Sequence, residues 1–119
     1  MQKLIQRLID FRDARDWAQF HNAKDLAISL SLEAAELLEL FQWKNAQEVE
    51  ALKTDPDALQ RVREELGDVL CYALLMAQEF GIDPQQAIAD KIAVNEKKYP
   101  VDLVKGRADK YTAYRSAGS

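Results

Sequence analysis

Two segments of the chain carry apolar residues at spacings of three and four, and an acid interrupts each series. In the first segment, Leu26, Leu30 and Leu37 form a stripe in which Glu33 takes one of the apolar positions. A stripe with this spacing predicts an amphipathic helix that turns one face toward a core. Glu33 is therefore expected on the buried face of its helix, with Glu36 one turn further along.

The second segment repeats this arrangement. Val62, Val69 and Tyr72 follow the same spacing, and Glu65 takes the position between the two valines. Asp68 follows Glu65 by three residues, so both acids of this pair also lie on one face of a helix. The two segments therefore predict two long helices whose packing faces each contain a carboxylate.

Removing a carboxylate from water costs several kcal/mol unless it is paired or bound to a metal. If the two helices pack antiparallel, the pairs Glu33-x-x-Glu36 and Glu65-x-x-Asp68 reach the same level and form a site of oxygen ligands. Such ligands favour a hard divalent cation, so Mg²⁺ is expected, with Mn²⁺ as a possible substitute. The alternative is that these four acids are ordinary solvated helix charges.

The whole chain contains few residues that break helices, so we expect its regular structure to be helical. Its 119 residues contain four Gly and three Pro, which favours long helices over a sheet. We expect an all-α fold, a bundle of four main helices plus a short connecting helix that begins after Asn45, with one domain over 1–112 and a flexible tail over 113–119. The main helices are expected at about 2–15, 25–43, 56–80 and 84–98, with irregular chain after them.

Composition excludes several classes of protein. The single cysteine cannot form a disulfide within the chain, and no apolar run approaches the roughly 20 residues of a membrane span. The net charge of -4 argues against binding to a nucleic acid polymer, because that needs an excess of basic residues on one face. We therefore expect a cytoplasmic protein that binds neither a membrane nor a polymeric nucleic acid.

The two acid pairs, separated by 28 residues, resemble the signature of the all-α nucleoside triphosphate pyrophosphohydrolases, the MazG-like superfamily. Several further segments are similar to the dCTP pyrophosphatase branch of that superfamily. These are Arg15-Asp16-Trp17, Gln19-Phe20-His21, Glu39-Leu40-Phe41-Gln42-Trp43-Lys44, Glu64-Glu65-Leu66, Asp68-Val69-Leu70, Asn95 with Tyr99-Pro100, and Lys110-Tyr111-Thr112. The resemblance covers residues 1 to about 112.

The resemblance implies Mg²⁺-dependent hydrolysis of a nucleoside triphosphate between its α and β phosphates, with dCTP or a modified dCTP as substrate and nucleotide-pool sanitation as the role. Glu33, Glu36, Glu65 and Asp68 would bind the metal, and Glu33 or Glu36 would be the catalytic base. It also implies a homotetramer, a dimer of dimers. The rival hypothesis is a non-catalytic helical oligomerisation or nucleotide-sensing module with a structural metal ion.

The resemblance assigns two further groups of residues to the nucleotide. Contacts to the triphosphate are expected from Lys91, Asn95, Lys98, Lys110 and Tyr111. Contacts to the base and sugar are expected from Trp17, His21, Trp43 and Tyr72, since aromatic rings can stack on a base. One position departs from the pattern, because Leu8 stands where the dCTP-selective branch can carry a histidine, and this weakens the expectation of strict cytosine selectivity.

Overall fold

The computed structural model describes residues 1–106, apart from the side chain of Val104, and within this range all regular structure is helical. The prediction of an all-α fold is confirmed. The α-helices are α1 (Gln2–Ala14), α2 (Ala23–Glu39), α3 (Ala46–Ala51), α4 (Pro56–Glu79), α5 (Pro84–Lys98) and α6 (Val101–Val104), with single 3₁₀ turns at Ala18–Phe20 and Leu52–Thr54.

The chain forms two compact units, one over Met1–Gly81 and the other from Ile82 onward. The first contains α1 to α4 and the second contains α5 and α6. The expectation of one domain over 1–112 with a tail over 113–119 stays a prediction.

The long helices begin where side-chain caps predict. Asn22 accepts a hydrogen bond from the backbone N–H of Asp25 at the start of α2, and Asp55 accepts one from Asp57 at the start of α4. Such caps satisfy amides that have no partner within the helix. Proline in the first turn of α4 supports the same start, and Gly81 follows the helix with φ 63°, the left-handed conformation common at helix ends.

Helices α2 and α4 form the main helix pair of the first unit. The end of α2, at Glu39 and Leu40, lines a small cavity together with Ala58 and Val62 from the beginning of α4. The two helices therefore run antiparallel, which is the packing that the expected meeting of the acid pairs required. The buried residues in the described part of the chain are all apolar: Leu26, Ala58 and Leu75.

The structure confirms one predicted helix boundary and corrects two other details. The connecting helix α3 begins as expected, since Asn45 and Glu48 exchange hydrogen bonds in a capping box. The end of α2 near Trp43 was wrong, because the helix stops at Glu39 and the next amides bond three or four residues back in tight turns. The chain after Tyr99 is not wholly irregular, because Pro100 precedes the short helix α6, and proline is compatible with a helix start.

The second unit was predicted closely for its main helix. Asp83 caps α5 by accepting from the backbone N–H groups of Gln85 and Gln86, and Pro84 occupies the first turn. Across residues 1–106, none of the helices has both the length and the apolar character needed to cross a lipid bilayer.

Candidate functional site

Three of the four predicted acids meet between α2 and α4. One carboxylate oxygen from each of Glu33, Glu36 and Glu65 lies within 4.8 Å of the others. Glu33 and Glu65 are half-buried on the packing faces, whereas Glu36 is exposed. The interrupted stripes therefore did predict which acid of each pair faces the partner helix.

This acidic cluster, meaning Glu33, Glu36 and Glu65, leaves part of its hydrogen-bonding capacity unused. Oε2 of Glu33 and Oε2 of Glu65 are both removed from solvent and accept no hydrogen bond within the described residues. An acceptor removed from solvent without a partner is destabilising, and more so when the group is charged. The two oxygens therefore mark a position where a ligand would relieve that cost.

The same crowding changes how the acids titrate. Burial, and then the hydrogen bond and charge of Glu36, raise the pKa of Glu33 to about 7, with smaller contributions from Asp68 and Glu65. Burial and the charge of Glu36 also raise the pKa of Glu65. Since like charges disfavour ionisation, Glu33 and Glu65 bind protons more tightly than isolated carboxylates do when no cation is present.

Asp68 lies beside the acidic cluster rather than within it. Its charge contributes to the raised pKa values of Glu33 and Glu65, so it is close in electrostatic terms. It also lines the neighbouring cavity. Asp68 thus stands between the cluster and the cavity, one helical turn from Glu65.

The donor set fits a divalent metal ion. All three clustered ligand atoms are carboxylate oxygens, which suit hard cations such as Mg²⁺, Ca²⁺ or Mn²⁺ better than softer metals. The ion pairs Arg12–Asp13 and Lys53–Glu50 do not involve these three glutamates. A metal ion would both occupy the orphaned oxygens and balance the charge.

A cavity of about 470 Å³ opens next to Asp68 within the first unit. This size is within the range of small-molecule pockets in proteins. Its wall, mostly apolar in area, is formed by Leu4, Arg7, Leu8, Phe11, Arg12, Trp17, His21, Asp68, Cys71, Tyr72 and Leu75. Three of the four residues expected to contact the base and sugar therefore share one cavity: Trp17, His21 and Tyr72.

Aromatic contacts hold Trp17 at the wall of this cavity. Its ring meets Phe11 edge-on with 5.7 Å between centroids, and the guanidinium of Arg15 lies 3.7 Å from the Phe11 centroid and 5.9 Å from that of Trp17. Trp17 is 45% exposed. An indole fixed at its edge with part of its surface open can stack on a planar ligand.

Polar side chains of the cavity wall can form hydrogen bonds to a ligand. Nδ1 of His21 is shielded from solvent and has no hydrogen-bond partner among the described residues. Arg12 also lines the cavity, although sequence reasoning did not single it out. Helical spacing could have indicated Arg12, because it follows Leu8 by four residues and therefore lies on the same face of α1.

One of the four residues expected to contact the base and sugar does not line the cavity. Trp43 lies in the turn after α2 and is 88% exposed, outside the cavity wall. Lys91, Asn95 and Lys98 lie on α5, in the second unit. The remaining two expected phosphate contacts, Lys110 and Tyr111, fall outside the described residues, so all five phosphate assignments stay predictions.

Comparison with known proteins bears on what this arrangement is for. The family model described as the MazG-like family matches residues 28–113, which include both acid pairs. The chain belongs to the MazG-like family. The resemblance that the acid spacing indicated is thereby confirmed.

Relatives of known name agree with this membership. The chain is 41% identical to dCTP pyrophosphatase 1 of Mus musculus and 38% identical to that of Homo sapiens, each over 109 residues. Each alignment covers 91% of this chain and 64% of the relative, so the chain spans less than two thirds of their length. A crystal structure of a pyrophosphatase from Archaeoglobus fulgidus is similar, with a TM-score of 0.77, 42% identity, and coverage of 84% of this chain and 92% of that one.

Proposed function

We propose that this protein hydrolyses deoxynucleoside triphosphates between the α and β phosphates, releasing a monophosphate and pyrophosphate. The observation that carries the proposal is the convergence of Glu33, Glu36 and Glu65, with two orphaned buried oxygens, beside a cavity that contains aromatic rings. The named relatives are dCTP pyrophosphatases, which favours dCTP or a modified dCTP as the substrate. Removal of unwanted nucleotides from the cellular pool is the role we infer.

The acidic cluster would hold the metal. Glu33, Glu36 and Glu65 supply the clustered oxygens, and we propose Asp68, whose charge contributes to the raised pKa values of Glu33 and Glu65, as the fourth ligand. Mg²⁺ is the ion we propose, with Mn²⁺ as a substitute. Such an ion, when bound, neutralises phosphate oxygens and lowers the pKa of a coordinated water.

The carboxylates then differ in what they do. Glu33 and Glu65 are half-buried and fixed on packing faces, so they suit permanent ligation. Glu36 is exposed while lying against both of them, so it can hold the attacking water and accept its proton. We assign the role of base to Glu36, with Glu33 as the other candidate.

The cavity would receive the base and sugar. Trp17 offers a partly open ring for stacking, and His21 and Tyr72 supply polar groups nearby. Asp68 lies at the boundary between this cavity and the acidic cluster, so a nucleotide bound here would place its phosphates toward the acids. Lys91, Asn95, Lys98, Lys110 and Tyr111 remain our proposed phosphate contacts, on the resemblance alone.

A homotetramer built from two dimers is part of the proposal. Many large apolar side chains of the described residues are exposed, among them Leu4, Leu32, Leu70 and Ile88, at 54–60%. A short chain with so few buried residues gains stability when copies of it cover such surface. Sedimentation equilibrium at several protein concentrations tests this assembly directly.

The decisive experiment for the activity is identification of the products. Purified protein with Mg²⁺ and dCTP should yield dCMP and pyrophosphate, and chelation of the metal should abolish turnover. Release of inorganic phosphate with dCDP would contradict the bond assignment. If dCTP stays intact for hours while it still raises the thermal stability of the protein, the chain is a nucleotide sensor and our proposal is wrong.

A further inference from the structure

The face of helix α1 that lines the cavity contains both apolar and positively charged side chains. Leu4, Leu8 and Phe11 follow helical spacing along this face and give it an apolar surface. Arg7 and Arg12 line the cavity from the same helix. The side chain of Arg12 is only 15% exposed. A mostly buried arginine therefore lies in a largely apolar cavity wall.

One edge of the Arg12 guanidinium is already engaged. Nε donates to Oδ1 of Asp13 at 3.0 Å, and Nη2 lies 2.9 Å from the same oxygen. The guanidinium is planar and carries five N–H donors in a fixed arrangement. Since Asp13 takes the edge formed by Nε and Nη2, the edge formed by Nη1 and Nη2 points away from Asp13 and presents two parallel N–H donors.

Two parallel donors select a ligand with two neighbouring acceptors. Cytosine has such a pair in O2 and N3, and guanine has one in O6 and N7. Uracil and thymine have an N–H donor between their two carbonyl acceptors. In adenine, the amino donor lies next to each of the ring nitrogens N1 and N7. These three bases therefore lack two adjacent acceptors on such an edge. The presence of two adjacent acceptors therefore separates cytosine and guanine from uracil, thymine and adenine.

The cavity is long enough to separate the base from the phosphates. Along α4 it extends from Asp68 to Leu75, seven residues or roughly 10 Å at 1.5 Å per residue. Asp68 lies beside the acidic cluster, where phosphates would bind. A sugar and a base would then occupy the rest of the cavity, whose wall includes Arg12.

We propose that Arg12, oriented by Asp13, is a specificity-determining residue that selects bases with two adjacent acceptors, cytosine or guanine, over uracil, thymine and adenine. This inference rests on the proposed function and adds to it a physical origin for base selection. Of the two arginines that α1 contributes to the cavity wall, Arg12 is half-buried and Arg7 is exposed, so Arg12 is the one whose side chain is held within the wall. Asp13 is a positioning residue, because it acts only through Arg12.

The test compares kcat/KM for dCTP, dGTP, dUTP and dATP in the wild type, Arg12→Lys and Arg12→Met. Lysine keeps the charge but lacks the parallel donors, so both variants should lose the preference for cytosine or guanine over the other two bases by about tenfold. The contrast between dCTP and dGTP in the wild type identifies which acceptor pair is bound. Lys3→Met removes the same charge from an exposed position of α1 outside the cavity and should leave every ratio unchanged.

Three results would overturn this inference while leaving the proposed function intact. They are equal turnover of all four nucleotides by the wild type, an unchanged base preference in Arg12→Lys, and an equal loss on all four nucleotides in both variants. The last would mean that Arg12 supports the fold or the phosphates, and the thermal unfolding midpoints of the variants separate these two causes. A wild-type protein that hydrolyses none of the four would remove the proposed function and this inference together.

Discussion

The acidic cluster and the cavity lie side by side on α4, yet the physical state of their side chains differs. In the cluster, like charges crowd together and two buried oxygens lack partners. In the cavity, rings and aliphatic side chains form most of the wall, and the charged Arg12 is already paired with Asp13. The cluster carries like charges that a cation would balance, whereas the charge of Arg12 in the cavity is balanced by Asp13, so the two regions should respond differently to mutation, metal and pH.

The largest effect is expected from removing one charge of the cluster. Glu65→Gln should lower pyrophosphate release from dCTP by at least about 100-fold, because a neutral amide is a poor ligand for a divalent cation. Glu79→Gln, at the end of the same helix and outside both regions, is the matched control and should retain full activity. Retention of activity by Glu65→Gln would show that the cluster is not the metal site.

A smaller effect is expected from the cavity. Trp17→Ala should raise KM for dCTP by about tenfold with little change in kcat, since stacking on a base contributes about 1–3 kcal/mol. Trp43→Ala is the natural comparison, because Trp43 is 88% exposed and lies outside the cavity wall. Steady-state kinetics on both variants decide between the two tryptophans, and an equal rise in KM for Trp43→Ala would mean that the base also contacts that ring.

Tyr72 tests the boundary between the two regions, since it lies one turn beyond Asp68 on α4. Tyr72→Phe keeps the ring and removes the hydroxyl, so KM for dCTP should rise about threefold, the value of one neutral hydrogen bond. Metal affinity, measured by Mn²⁺ titration followed by electron paramagnetic resonance, should not change. A loss of Mn²⁺ binding in this variant would show that the two regions are not separable.

The smallest effect concerns pH. Because the pKa of Glu33 is raised to about 7 from an ordinary 4.5, the folded protein binds more protons than the unfolded chain between these values. Metal-free protein should therefore lose stability as pH rises from 5 to 8, and its thermal midpoint should fall by a few degrees. Glu33→Gln should flatten this trend, and saturating Mg²⁺ should reverse it, as calorimetry at several pH values would show.

Helical spacing predicted the half of the site that depends on α2 and α4. Glu33 and Glu65 sit at the interrupted positions of their stripes, and both are half-buried as expected. The spacing of the first acid pair also brought Glu36 into the cluster, whereas Asp68 of the second pair lies beside it. These features depend on local periodicity and on one antiparallel packing, which the connection between the helices allows.

The cavity was predicted less well, because it depends on how α1 packs against α4. The aromatic residues Trp17 and Tyr72 were expected near a base, but the same reasoning also placed Trp43 there, and the structure leaves Trp43 in an exposed turn. Arg12 was overlooked, since an arginine in an amphipathic helix is ordinarily solvated. Only the tertiary arrangement shows that its side chain is mostly shielded.

The position of Cys71 has a practical consequence. It is the one cysteine of the sequence, it is half-buried, and it lines the cavity beside Tyr72. A maleimide fluorophore would therefore attach at a single, known place, and its emission would report occupancy of the cavity without any engineered thiol. Because burial raises the pKa of Cys71, labelling should be slow at neutral pH and faster in mildly alkaline buffer.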